Sequence, residues 1–88
     1  MTFLTVLWDD SPGGNVEHIA GHGLTPEEVE DVLDDRDSRF AVSKSTGRPL
    51  AFGHTRTGRH ILVAFDWIDK TTVYPITAYE VPEAGDEP

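Results

Sequence analysis

The sequence predicts an α+β domain with the order β-α-α-β-β-β-β. Its two N-terminal helices should pack on a mainly antiparallel sheet. Three observations predict this. An apolar run, Phe3 to Trp8, opens the chain. A capped amphipathic helix starts at Thr25. From Phe40 onward the pattern changes to a period of two, punctuated by turn residues.

Phe3 to Trp8 reads as a buried strand. Asp9-Asp10-Ser11-Pro12-Gly13-Gly14 reads as a turn and a helix start, with Ser11 as cap and Pro12 in the first helical position. Val16, Ile19, Ala20 and Gly23 share a face of the first helix, whose glycines each cost about 1 kcal/mol against alanine. Gly23 suits a left-handed cap that ends it after His22. In the second helix Thr25 caps, Pro26 takes the first position, and Glu28 completes a capping box. Val29, Val32 and Leu33 make its single apolar stripe.

Phe40 to Lys44 is the second strand, turned by Ser45-Thr46-Gly47. Leu50, Phe52, His54 and Arg56 alternate with smaller residues in the third. Thr57-Gly58 turns the chain into a strand with Ile61, Val63, Phe65 and Trp67 on one face. Thr72 to Val81 is the last strand. Pro75 inside it cannot donate to a ladder, which implies an edge, a bulge or an outward nitrogen. Short connections make the last four strands a meander with both helices on one face. Residues 1–81 form one domain, and 82–88 read as an acidic, disordered tail.

At 88 residues the chain holds one modest core, burying about 60% of its unfolded surface. Self-association or a partner would hide more. Without cysteine there is no disulfide, thiolate metal site or thiol nucleophile. The first residues lack the basic flank of a signal peptide, and no apolar run reaches the roughly 20 residues of a membrane helix. Cytoplasm is the expected compartment, without membrane contact. The net charge of −9 is unevenly spread. Residues 1–37 hold ten acids against Arg36, residues 38–81 six bases against three acids, and residues 82–88 three more acids. An acidic helical part thus joins a mildly basic sheet, which leaves an anion-binding surface open.

Cleavage of RNA through its 2′-hydroxyl needs an acid or base active near neutrality and cations for the phosphate. His54, Arg56, Arg59 and His60 flank one tight turn and could supply both. Alternation would put His54 and Arg56 on one side. The competing reading is a solvated hairpin tip. Arg48 and Lys44 extend the basic set. His18 and His22 have the i, i+4 spacing of metal ligands, but Ile19 stands where a zinc-protease glutamate would, so no metal or cofactor is expected. Tyr79 and Glu80 could serve as stacking platform and general base, or merely close an edge strand. The acids Asp31, Asp34, Asp35 and Asp37 lack calcium-loop spacing and read as a solvated helix end.

Several of these residues together resemble the BrnT-like toxins of bacterial type II toxin–antitoxin systems. The likeness runs from Trp8-Asp9 through Asn15, His22-Gly23 and Thr25-Pro26-Glu27-Glu28-Val29. It continues in Gly53-His54-Thr55-Arg56-Thr57-Gly58-Arg59, Ile61-Leu62-Val63 and Tyr74-Pro75-Ile76-Thr77-Ala78. The resemblance implies a RelE-like fold, action on RNA as a ribonuclease, and neutralisation by a small antitoxin. It also implies that His22 lies by the RNA site. On this reading His54, Arg59, His22 and Tyr79 are the catalytic candidates. Arg48, Arg56, Lys44 and His60 are the anion-binding ones. The chain departs after Ala78: where the family carries adjacent arginines, this one has Tyr79-Glu80. The alternative is a non-catalytic interaction module with the same fold.

Overall fold

A computed structural model describes residues 4–82. Its elements are β1 (Thr5–Val6), α1 (Asn15–Ala20), α2 (Pro26–Asp34), β2 (Arg39–Val42), β3 (Pro49–His54), β4 (His60–Asp69) and β5 (Thr72–Glu80). Five strands make one mixed sheet in the order β1-β5-β4-β3-β2. Only β1 and β5 run parallel. The other pairs are antiparallel hairpin neighbours. The acidic tail expected from 82 onward lies, past Pro82, outside the described residues, as do Met1 to Phe3.

Period-two alternation decides which face is buried. Ala51, Ile61, Val63, Phe65, Val73 and Ala78 meet Ile19, Leu24, Val29, Val32 and Leu33 from the helices. α1 packs on β5, and α2 packs chiefly on β3. Trp67 continues the row of Phe65 but passes beyond the helices and is half exposed. Among the described residues, no helix lies over the opposite sheet face, with Leu50, Phe52, Leu62 and Ala64.

The two helix starts differ. Thr25 and Glu28 form the reciprocal capping box, with Pro26 at the start of α2. Ser11 does not cap α1, and Pro12 is not in it. The helix begins at Asn15 after Gly14, with no side-chain cap. Ser11 instead donates its amide and hydroxyl to the Asp9 carboxylate. That local ring competes with a helix start, as short polar side chains do. α1 also ends earlier than expected, at Ala20 rather than His22. Gly23 does take the left-handed conformation, φ +80°. Pro75 sits beside a register shift between β4 and β5, which absorbs its missing donor.

Candidate functional site

One end of the sheet gathers most of the candidate residues. There β3 ends, β4 begins, β5 ends, and the α1–α2 turn passes. The β3–β4 hairpin is built on Thr55, which is buried. Its amide donates to the Arg59 carbonyl at 2.9 Å, and its hydroxyl accepts the Arg59 amide at 3.1 Å. Gly58 closes the turn at φ +90°. This brings His54 directly across from His60, with ring centroids 4.9 Å apart. His60 Nδ1 lies 3.2 Å from the Val81 carbonyl oxygen.

A second ring group stands at the β5 side. The His22 and Tyr79 centroids are 5.9 Å apart. His18 meets His22 edge-on at 5.5 Å, and its Nε2 lies 3.0 Å from Thr77 Oγ1. Among the described residues no three His, Asp or Glu side chains are arranged to hold a metal ion.

Arg59 joins these parts. Its Nη1 donates to the Gly23 carbonyl at 3.2 Å and to Glu28 at 2.8 Å. Its Nη2 donates to Glu80 at 3.2 Å. Gly23 follows His22, and Glu80 follows Tyr79, so the guanidinium sits at the corner that carries the His22–Tyr79 pair. The hydrogen bond to Glu80, aided by Glu28, holds the Arg59 proton above its ordinary range. Ile61 pairs with Glu80 and Leu62 with Tyr79. Arg59 and Glu80 therefore belong to the helix side, while His60 and Tyr79 stand on the uncovered side.

The anion-binding candidates do not form one basic cleft. Arg56 falls in the turn after β3, so strand alternation does not align it with His54. Its guanidinium lies 3.1 Å from Asp31, and its amide donates to the same carboxylate. Lys44 and Arg48 lie at the far end of β3. Six residues at about 3.3 Å each put roughly 20 Å between the two ends. Arg48 is itself paired with Asp66 at 3.0 Å. A groove of about 480 Å³ runs beside His54 and Arg56, and five α2-side acids, Glu27, Glu30, Asp31, Asp34 and Asp35, line it.

Asn15 is the residue whose role the sequence concealed. It is buried and makes three bonds. It accepts the Asp9 amide at 2.8 Å and donates to the carbonyls of Leu7 (3.0 Å) and Pro75 (2.9 Å). It thereby sets α1, and with it His18 and His22, against β5. No protein-family model, curated protein or solved structure matches the chain.

Proposed function

We propose that this chain is a BrnT-like, toxin-type protein that acts on RNA in the cytoplasm, at the corner formed by His22, Tyr79 and Arg59. A small antitoxin-like protein would neutralise it. The observation that carries the reading is the placement of one guanidinium beside the sequence neighbours of a His–Tyr ring pair. In 2′-hydroxyl cleavage a base removes the 2′ proton, and the 2′ oxygen attacks phosphorus. An acid protonates the departing 5′ oxygen. His22 and Tyr79 are of the right chemical types for these two transfers, and Arg59 for the phosphorane charge. His54 and His60 would hold the flanking nucleotide on the uncovered face.

The arginines expected after Ala78 are replaced here by Tyr79-Glu80, and Glu80 occupies one edge of Arg59. That carboxylate is 57% exposed, against 18% for Glu28. Exposed ion pairs contribute at most about 1 kcal/mol, so a phosphate can displace Glu80. The test is cleavage of RNA by the purified chain, with growth arrest on expression. Arg59→Ala and His22→Ala should abolish both. Glu80→Gln should tighten RNA binding several-fold. An intact chain that neither cleaves nor arrests growth removes the enzyme reading.

One observation favours the second reading, a non-catalytic interaction module. Arg48, Arg56 and Arg59 are each neutralised by a carboxylate, and the groove beside Arg56 is acidic. Such a protein would show no RNA dependence in any assay and would retain partner binding in Arg59→Ala.

A further inference from the structure

The two sides of the sheet end differently. Along β5, α1 meets the backbone past Val73: Asn15 donates to the Pro75 carbonyl, and His18 reaches Thr77. Along β2, no described element meets the free side. Ser43 donates its amide to the Arg48 carbonyl at 2.9 Å, which sets the alternation of the β2–β3 pairing. Ser43, Ala41 and Arg39 turn their amides and carbonyls toward β3. Phe40 and Val42 turn theirs outward.

The same two residues expose large apolar side chains, 51% for Phe40 and 65% for Val42. Both stand on the helix side, where Phe40 lies across from Ala51 and edge-on to Phe65. α2 stops short of β2. Phe40, Trp67, Leu33 and Leu4 therefore line an open groove of about 650 Å³. Charge also runs along this edge. Asp34, Asp35 and Asp37, with Arg36 among them, precede β2, Arg39 opens it, and Lys44 and the Asp66-paired Arg48 follow it. Among the described residues Lys44 has no carboxylate partner.

We propose that β2 is a self-association edge, on which two copies pair antiparallel about a twofold axis at Ala41. Four observations select a second copy as the occupant. With Ala41 opposite Ala41 of the second copy, Phe40 faces Val42 of the second copy, a favourable aromatic–β-branched pair. The outward amides and carbonyls of these residues then form four hydrogen bonds. The reversed direction carries the acidic end of each edge toward Lys44 of the other, whereas a parallel arrangement would oppose like charges. Arg39 faces Ser43 of the second copy rather than another arginine. An uncovered edge strand whose one charge is Arg39 is otherwise a hazard that proteins avoid. The charge of −9 on each copy opposes association, but at 0.15 M salt the Debye length is about 8 Å and the local contacts dominate.

The test is the solution mass of the intact chain by sedimentation equilibrium at that salt, where a dimer is expected. Val42→Pro removes an outward donor and leaves the bonds to β3 intact. It should yield a monomer with an unchanged far-ultraviolet circular dichroism spectrum. Phe40→Lys should do the same by charge, which covers the case of a misfolded proline variant. Ala41→Cys should form a disulfide between copies on mild oxidation. The Ala41 pair is of the non-hydrogen-bonded kind, with Cα atoms about 4.5 Å apart, a span a disulfide can bridge. Lys44→Glu should weaken the dimer, and adding Asp37→Lys should restore it. An intact chain that is monomeric, including one that pairs only with a different protein, overturns the proposal. So does a Val42→Pro dimer as strong as the parent, or an Ala41→Cys dimer that does not cross-link.

Discussion

Arg59 reaches the α1–α2 turn, α2 and β5 from a single position, and its two carboxylate bonds differ in kind. The bond to Glu28 is the sheltered one, and the bond to Glu80 faces solvent. Arg59→Ala should therefore lower stability by only about 1 kcal/mol, measured as a shift in the urea midpoint. Its effect on RNA should be far larger if the corner works as proposed. Asn15 is the reverse case. Asn15→Ala removes the partner of the buried Pro75 carbonyl and of the partly buried Asp9 amide and Leu7 carbonyl, and should cost about 2–3 kcal/mol in the same experiment. The sequence offered no warning of this. Asn15 stands in the sequence only as part of the family likeness with no role attached, because two of its partners are carbonyls, one of them 60 positions away. A tight hairpin brings either Arg59 or His60 near His54 by counting, and the register selects His60. Of the neutralising partners, Asp66 stands across from Arg48 when the β3–β4 register is continued, but Asp31 and Glu28 come from α2, whose approach to the sheet no spacing rule specifies.

Elements were legible in proportion to how local their signals are. α2 carries its cap, its proline and its stripe within nine residues, and all three operate. α1 lacks a side-chain cap and is held by tertiary bonds, so its limits shifted inward at both ends. Gly53 shows an element-level constraint of another kind. A β-carbon there would collide with Ser38 Oγ and approach Val32 Cγ1 to 3.2 Å. Ser38 is pinned because its hydroxyl donates to the Val32 carbonyl at 2.7 Å. Gly53→Ala should cost about 1–3 kcal/mol as overpacking. Combining it with Ser38→Gly should recover part of that loss, and a double-mutant cycle in urea measures the coupling.

Across the whole molecule, the division into acidic helices and a basic sheet survives as a charge count but not as a surface. Arg56–Asp31 and Arg59–Glu28 join the two layers, and Arg48 and Arg59 pair with Asp66 and Glu80 within the sheet, so three of the six bases of residues 38–81 are neutralised. Acid should loosen the molecule only late. Hydrogen bonds from Ser11 lower the Asp9 carboxyl, and the Thr71 amide lowers that of Asp69, both below the ordinary 3.8. A depressed carboxyl adds stability that is complete above its ordinary value and lost as pH falls through the lowered one. These groups should thus leave the urea midpoint unchanged between pH 7 and 5 and lower it below about pH 4. Asp69→Asn should flatten that fall. The two sides of the sheet have one further consequence. β1 covers β5 at Thr72 and Val73, and Asn15 of α1 takes the Pro75 carbonyl beyond them, whereas no described element covers β2. A chain that joins through β2 about a twofold axis spends the same patch on both copies, so growth through that strand stops at a closed pair.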